Sequence, residues 1–190
     1  MFNKKGNKMN KILKEISTRF SPMAFSEIKP TEEGLNRMLE AARWAPSSYN
    51  EQPWQFVLAV KGSEEYKLIH QSLIEYNQVW TESAPVLGVV LGNTKLAKSG
   101  KYNGHFMYDA GAAMANFTTQ ALLEGYQIHQ MGGYDSELLE KTLSVDENSK
   151  SIVVFALGVP GDVKHLPQDM QERARAERTR KPLDEISKVY

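Results

Sequence analysis

The segment from Pro85 to Leu91 constrains the fold more than any other part of this chain, because it is a nearly continuous apolar run. Even the wider stretch from Ala84 to Gly92 is far too short to cross a bilayer, which takes about 20 apolar residues. An apolar run without alternation is typical of a strand that is buried on both faces of its sheet. The rest of the chain must therefore supply layers that cover both faces of this strand.

Helical and strand-like segments alternate along the sequence. Apolar residues at helical spacing predict helices over residues 12–17, 31–44, 63–80, 106–123 and 134–143. Further strands are predicted over residues 55–60, 126–131 and 152–157. Because the strands are few, this order favours an α+β or α/β sandwich. No repeat or Pro/Gly/Ser linker divides the chain, so we expect one domain over residues 1–190, a length within the usual range of about 100–200.

Two of the predicted helices carry additional local signals. Thr31 is an N-cap candidate, because its hydroxyl is followed by acidic residues in the first turn. The small residues between Ala110 and Ala115 indicate close packing against another helix, either at the centre of the fold or at a subunit interface.

Charge and cysteine content exclude several classes of function. The 23 Lys and Arg residues balance the 23 Asp and Glu residues, whereas a dedicated nucleic-acid binder normally carries a basic excess. With no cysteine, disulfides, thiolate nucleophiles and cysteine-based metal clusters are excluded. The sequence shows neither a signal-peptide pattern nor a membrane-spanning run. We therefore expect a cytoplasmic protein without nucleic-acid or membrane partners.

The first 20 residues nevertheless carry six basic side chains against one acid, Glu15. One explanation is a flexible, solvated N-terminus over residues 1–11, and the other is a contact with a membrane or nucleic acid.

Several common catalytic motifs are missing from the sequence. No G-x-G-x-x-G follows a predicted strand, and neither the P-loop pattern nor a G-x-S-x-G nucleophile elbow occurs. The four histidines are far apart and without ligand spacing, so we expect packed or surface histidines and no metal site. Hydrolysis by a metal or by a catalytic triad therefore has little support.

Four polar clusters in predicted loops remain as candidates for binding. Arg19 and Ser21 combine a guanidinium with a hydroxyl, which suits a phosphate. In the stretch from Ala45 to Trp54, the amides of Asn50 and Gln52 match a heterocycle edge that bears carbonyl and N–H groups.

The other two clusters lie later in the chain. At residues 130–135, Gly132 and Gly133 let backbone N–H groups approach a flat ring closely. Residues 178–182 form a compact positive cluster. Each cluster also has a purely structural explanation: a surface ion pair, a turn cap, a tight connection or a solvated tail. Together they supply phosphate, heterocycle-edge and backbone contacts, which are the contacts that flavin mononucleotide (FMN) needs.

On these motifs the sequence resembles the FMN-dependent nitroreductase family, from about Ile12 to Ile186. The most specific match is the family's A-P-S-S-x-N-x-Q-P-W segment, which residues 45–54 reproduce. The family's opening R-x-S-x-(R/K)-x-F segment is matched at Arg19, Ser21 and Phe25. Further matches, in the family's order, are Asn77 to Trp80 before Ala84-Pro85, Asp109 to Gly111, Met131 to Asp135, Leu157 to Pro160 and Arg178 to Leu183.

The resemblance implies a fold and an assembly. The fold is a three-layer α/β/α sandwich of the α+β class with a mainly antiparallel central sheet. Two subunits would form a homodimer through long helices, with one FMN at each of two interface sites. Residues 166–190 would form a C-terminal extension that reaches the FMN phosphate or the partner subunit.

The resemblance also implies a set of cofactor-binding residues. The arginines and Ser21 would hold the FMN phosphate, with the backbone of Phe20 alongside. The residues between Pro46 and Asn50 would reach the isoalloxazine and ribityl groups from the partner subunit. Asn77 would contact the pyrimidine edge, and the Met131–Gly133 backbone would lie near the reactive flavin nitrogen. The full set is Arg19, Phe20, Ser21, Pro46, Ser47, Ser48, Asn50, Asn77, Met131, Gly132, Gly133, Arg178 and Arg180.

Met23 departs from the family pattern, which usually places Arg or Lys there, beside the pyrimidine carbonyl of the flavin. A cation would stabilise the anionic reduced flavin through a charge-assisted hydrogen bond of about 1.5–3 kcal/mol. Without it, we expect a lower flavin potential or weaker binding unless another donor, such as Gln130, substitutes.

The activity that the resemblance implies is FMN-dependent oxidoreduction. NADH or NADPH would act as a transient electron donor, and a nitroaromatic, a quinone or a similar small acceptor would be reduced in a second half-reaction at the same site. No protein acid or base need be catalytic, because the flavin carries the chemistry. Two alternatives remain: an FMN enzyme that oxidises or dehalogenates a specific metabolite, and a non-catalytic flavin-binding protein.

Overall fold

The computed structural model describes residues 12–190, so the predicted flexible N-terminus of residues 1–11 lies outside the described residues. The helices are α1 (Lys14–Thr18), α2 (Glu32–Arg43), α3 (Glu64–Ser72), α4 (Glu75–Thr81), α5 (Phe106–Leu123), α6 (Ser136–Thr142), α7 (Gln168–Arg175) and α8 (Leu183–Ile186). The strands are β1 (Trp54–Val60), β2 (Val86–Asn93), β3 (Gln127–Met131) and β4 (Ser149–Gly158).

The four strands form one sheet in the order β1-β2-β4-β3, and every neighbouring pair is antiparallel. The inner strand β2 is buried along its length except at Asn93. Gly88 of β2 lies against the ring of Phe155, its partner on β4, where an added Cβ atom would be 2.3 Å from the ring. The predicted two-sided burial of this strand is confirmed.

Helices cover both faces of the sheet. On one face, α2 and α5 pack in the same apolar cluster as Val86 and Val90 of β2. On the other face, α3, α4, α6 and α7 pack with Leu87 and Val89. Since successive β2 side chains point to opposite faces, a single strand contributes to both cores. The fold is therefore the predicted three-layer α/β/α sandwich of the α+β class.

The long helix α5 uses its small residues as the sequence predicts for close packing. Ala110 and Ala113 are fully buried in one cluster with Met38 of α2. Gly111 and Ala115 stay exposed. The helix α2 begins after its predicted N-cap, where the Thr31 hydroxyl accepts a hydrogen bond of 3.1 Å from the Gly34 N–H. Among residues 12–190, no helix has the length and apolar content that crossing a membrane requires.

The prediction of one helix over residues 63–80 is wrong, because the chain leaves the helical conformation at Leu73. There the backbone is extended (φ −71°, ψ 148°) and forms an antiparallel bridge with Tyr134. The N–H of Ile74 donates to the carbonyl of Gly133 at 3.1 Å. This pairing replaces helical hydrogen bonds and places the start of α4 against the turn that follows β3.

The C-terminal third contains two features that the apolar pattern does not predict. Strand β4 begins at Ser149 rather than at residue 152, because its polar end pairs with Asn93 at the end of β2. The chain after residue 160 is polar and arginine-rich, and the predicted helices end at residue 143, but the structure has α7 there, anchored by the buried Met170.

Candidate functional site

Three of the predicted phosphate ligands lie together at one cavity. Arg19, Arg178 and Arg180 line a space of about 530 Å³ between α1, α5 and the C-terminal segment. The other lining residues are Ile12, Glu15, Ile16, Ser17, Ala115, Thr118, Thr119, Leu122 and Gln130. We call this space the arginine cavity.

Hydrogen bonds hold two of the three guanidinium groups of the arginine cavity in place. Arg19 donates from Nη1 to the hydroxyl of Ser21 at 3.1 Å, which joins the two residues that the sequence pairs for phosphate binding. Arg178 donates to the backbone carbonyls of Ser17 and Arg19. Arg180 donates only to the carbonyl of the neighbouring Thr179, at 2.7 Å. Arg19 and Arg180 each use one donor within residues 12–190, so both keep more free N–H groups for a ligand than Arg178, which uses two.

The electrostatics of the arginine cavity favour an anion. Burial lowers the pKa of the Arg19 guanidinium, and the nearby charges of Arg178 and Arg180 lower it further. Within residues 12–190, none of the three forms an ion pair with a carboxylate. Glu15 also lines the cavity but, within residues 12–190, pairs with none of the three, so the arginines outnumber the one acid. This excess of positive charge fits a phosphate, which accepts the parallel N–H groups of a guanidinium.

A second cavity, of about 290 Å³, lies where β3 ends. We call it the glycine cavity, and its lining residues are Ile74, Tyr76, Asn77, His129, Gln130, Met131, Gly132, Gly133 and Arg173. Gln130 is exposed and lines both cavities, so the two adjoin at this residue. The structure thus brings the predicted Asn77 and Met131–Gly133 residues together, next to the arginine cavity.

The turn after β3 presents free backbone donors. In the described part of the chain, the N–H groups of Gly132 and Gly133 donate to no backbone or side-chain acceptor. The carbonyl of Gly133 accepts from the side-chain Nδ2 of Asn77 at 2.9 Å, and Asn77 Oδ1 accepts from Trp80 Nε1 at 3.0 Å. Asn77 therefore fixes the turn. A cofactor contact by this residue would use the second Nδ2 hydrogen.

His129 is a packed histidine, as the sequence predicts, but it also lines the glycine cavity. Its ring stacks on Trp80 with centroids 4.3 Å apart, and its Nδ1 lies 2.8 Å from the carbonyl oxygen of Pro22. Burial lowers the pKa of the imidazole; the Pro22 carbonyl opposes this effect, and the charges of Arg173 and Arg19 add to it. The neutral ring therefore donates from Nδ1 to Pro22.

The loop that carries the most specific sequence motif stays away from both cavities. Pro46, Ser47, Ser48 and Asn50 line neither the arginine cavity nor the glycine cavity. Ser47 Oγ instead accepts from the N–H of Gln52 at 3.0 Å. The exposed Tyr49 and its neighbours Asn50 and Gln52 have left-handed backbone angles (φ 51°, 58° and 46°), which non-glycine residues adopt at a cost.

Near Arg19, the predicted backbone contribution of Phe20 is already used within the chain. The Phe20 N–H donates to Gln127 Oε1 at 3.3 Å, and Phe20 lines neither cavity. Met23 is only 3% exposed and belongs to the apolar core. Its side chain therefore reaches neither cavity. Position 23 does not supply the cation that the family usually has beside the flavin, so a cation in the glycine cavity must come from another residue.

The sequence motifs assign no binding role to His129 or Arg173, although both line the glycine cavity. His129 precedes the Gln130–Asp135 cluster by one position, so its place on the same strand was the available signal. Arg173 lies in the stretch for which the sequence predicts only polar, arginine-rich chain and no α7. Without that helix, nothing in the sequence brings residue 173 next to Tyr76.

Comparisons with known proteins show which sequences and folds this chain resembles. A family model described as the nitroreductase family matches residues 16–79. A protein of Archaeoglobus fulgidus, named as a candidate NADH dehydrogenase/NAD(P)H nitroreductase, is 32% identical over 160 residues. That alignment covers 82% of this chain and 89% of the relative.

Solved structures share the fold over nearly the whole chain. The crystal structure of an oxidoreductase containing FMN has 34% identity and a TM-score of 0.88, and the match covers 98% of this chain and 96% of that one. A candidate nitroreductase from Desulfovibrio desulfuricans in complex with FMN has 21% identity and a TM-score of 0.76, with 96% and 98% coverage, and shares the fold. The extent and identity of these matches lead to one conclusion: the chain belongs to the nitroreductase family.

Proposed function

We propose that this protein is an FMN-dependent NAD(P)H oxidoreductase. NADH or NADPH donates electrons in a first half-reaction, and a nitroaromatic, a quinone or a similar small acceptor takes them in a second half-reaction at the same site. Membership of the nitroreductase family supports the oxidoreductase activity. The similar oxidoreductase containing FMN, at 34% identity, supports the choice of cofactor.

The observation that carries the proposal is the pairing of the two adjoining cavities. One holds three guanidinium groups without a carboxylate partner in residues 12–190, and the other holds the free N–H groups of Gly132 and Gly133. Gln130 borders both. A ligand with a phosphate at one end and a flat, acceptor-rich ring at the other matches this arrangement, and FMN has that shape.

The chain's own residues then bind and orient the cofactor. Arg19, Arg178 and Arg180 would hold the phosphate, and Ser21 keeps Arg19 in position through the 3.1 Å hydrogen bond. The free N–H groups of Gly132 and Gly133 would be donors for the ring system, and Asn77 holds the turn that carries them. When FMN is bound, it supplies hydride transfer between nicotinamide and acceptor. No side-chain acid or base is assigned a catalytic proton transfer.

We also propose that the active form is a homodimer in which the loop of residues 46–50 enters the partner's site. The loop lines neither cavity of its own chain, and its exposed Tyr49 follows Ser48, whose N–H donates to Asp109 on α5. On α5, Met107 and Tyr108 are exposed, and apolar surface of this kind marks protein interfaces. The variant Tyr108→Asp should give a monomer with weakened FMN binding, measured by light scattering and flavin titration.

The decisive experiment is a visible spectrum of the purified protein before and after anaerobic addition of NADH or NADPH. We expect a flavin absorbance that bleaches rapidly with a nicotinamide donor and returns when a nitroaromatic or quinone is added. A colourless protein that takes up no added FMN would refute the proposal. Bound flavin that no nicotinamide donor reduces would instead favour the non-catalytic alternative, and slow reduction would favour an enzyme for a specific metabolite.

A further inference from the structure

Arg173 is a positively charged residue that lines the glycine cavity, and the proposed function assigns it no role. It lies on α7, and its guanidinium carbon is 5.5 Å from the centre of the Tyr76 ring. Its Nη1 lies 3.5 Å from the Tyr76 hydroxyl, a long and therefore weak hydrogen bond. Across residues 12–190, Arg173 forms no ion pair, and its remaining guanidinium N–H groups have no protein acceptor.

Within residues 12–190, the rest of the glycine cavity carries no acidic side chain. None of its lining residues is Asp or Glu. Its polar groups include the free N–H groups of Gly132 and Gly133, the amides of Asn77 and Gln130, and the half-buried imidazole of His129. A guanidinium among neutral donors, in a cavity without a carboxylate, favours a ligand that carries an oxyanion.

We propose that Arg173 binds an oxyanion on the molecule that enters the glycine cavity to exchange electrons with the cofactor. This inference rests on the proposed function. The oxyanion has two chemical sources, a carboxylate on the acceptor and a phosphate on the nicotinamide donor. Both offer paired oxygens to the parallel N–H groups of a guanidinium.

The contact with Tyr76 suits Arg173 to this role. Stacking on an aromatic ring restricts the rotamers of a long side chain, so less entropy is lost when it binds a ligand. Tyr76 lines the same cavity, so this contact places the exposed Arg173 guanidinium at the cavity rim. Arg173 is therefore a specificity residue in this proposal and takes no part in electron transfer.

The test compares Arg173→Gln with Arg175→Gln in the FMN-loaded enzyme. Arg175 is on the same helix but lines neither cavity, so its variant removes the same charge without touching the site. The anionic acceptor is para-nitrobenzoate and the neutral one is para-nitrobenzyl alcohol, and KM is measured separately for NADH and NADPH. A second readout is the dissociation constant of benzoate and of neutral benzamide, followed by the visible spectrum of bound flavin without turnover.

For a carboxylate source, Arg173→Gln should raise both KM for the anionic acceptor and Kd for benzoate about tenfold, the effect of losing one charge-assisted hydrogen bond in an open cavity. The values for the neutral analogues should stay the same, as should those of Arg175→Gln. For a phosphate source, only KM for NADH or NADPH should rise by that factor. Arg173→Lys, which keeps the charge but loses the paired donors, should fall between wild type and Arg173→Gln.

Equal effects on charged and neutral ligands, or no effect on any of them, would overturn the inference. Thermal unfolding of each variant separates a general loss of packing on α7 from a loss of recognition. If the wild-type protein holds no FMN, the proposed function fails first. If the wild-type protein binds FMN and is reduced, and the KM and Kd values of Arg173→Gln equal those of wild type for anionic and neutral ligands, only this inference fails.

Discussion

The carboxylate of Asp109, on α5, accepts a hydrogen bond of 3.1 Å from the backbone N–H of Ser48. Asp109 is only 3% exposed, so a group on the central long helix fixes the loop that carries the most specific sequence motif. The loop therefore keeps its left-handed residues in place through a buried partner rather than through its own turn alone.

Asp109→Ala should release this loop. Loss of the acceptor leaves the Ser48 N–H without its partner, which costs about 1–3 kcal/mol of unfolding free energy. For a chain of this size, that lowers Tm by roughly 2–10 °C. Asp109→Asn keeps an acceptor oxygen at the same place, so its free energy of unfolding should fall much less. Thermal unfolding checks both variants, and equal losses would show that the hydrogen bond does not hold the loop.

The two adjacent glycines after β3 should respond differently to the same substitution. A Cβ atom on Gly133 would lie 2.7 Å from both Asn77 Nδ2 and Ile74 Cδ1, whereas a Cβ atom on Gly132 meets nothing within 4 Å. Gly133→Ala should therefore disrupt the Asn77 hydrogen bond, destabilise the protein by about 1–3 kcal/mol and weaken FMN binding. Gly132→Ala should leave the unfolding free energy within about 0.5 kcal/mol of wild type.

Urea unfolding and flavin titration of the two variants check this prediction. The glycines are neighbours in one turn, so each variant is the control for the other. A Gly133→Ala protein as stable as the Gly132→Ala protein would contradict the packing of Asn77 and Ile74 against this turn.

The arginine cavity should recognise the phosphate and not the ring of the flavin. Arg180→Gln should weaken FMN binding about tenfold or more, since a charge-assisted contact is lost, and should leave riboflavin binding unchanged because riboflavin has no phosphate. Lys181→Gln removes the same charge from a residue that lines neither cavity and is the matched control. Fluorescence titration measures the affinity for both ligands. An equal loss of affinity for FMN and for riboflavin would argue against a phosphate site.

Acidification should destabilise the protein through His129. The pKa of this imidazole lies below its ordinary value of 6.5, chiefly because of burial. Between the folded pKa and 6.5, the unfolded chain binds more protons than the folded protein, so the free energy of unfolding falls as pH falls. The loss begins near the ordinary pKa and levels off once the pH is below the folded pKa.

His129→Gln should flatten this part of the pH profile of stability, as measured by urea unfolding from about pH 7.5 to about pH 5. The exposed His165 supplies the control, since His165→Gln leaves the buried ring unchanged. Arg173→Gln should raise the pKa of His129, because a nearby positive charge is removed. An NMR titration of the His129 ring that shows no such rise would contradict the proximity of the two groups.

Local patterns were sufficient to predict most of this fold. The helix α5 has the predicted bounds of residues 106–123, because a long run of helix formers and small residues leaves no alternative. The break between α3 and α4 was not predictable, since it depends on a bridge between Leu73 and Tyr134, which are distant in sequence. Apolar periodicity cannot show a backbone pairing of that kind.

The candidate site was predictable where residues act close together in sequence, as at Arg19 with Ser21 and at Met131 to Gly133. The gathering of Arg178 and Arg180 next to Arg19 required the family resemblance. The position of Arg173 at the glycine cavity depends on where α7 packs, and α7 is anchored by the buried Met170 rather than placed by any local motif.

The hydrogen bond from Arg178 to the carbonyl of Arg19 spans 159 positions of the chain. The arginine cavity therefore lacks a wall until residue 178 is in place, although all four strands and the helices α1 to α7 precede that residue. A chain that stops before residue 178 contains every strand of the sheet but leaves the arginine cavity open on that side.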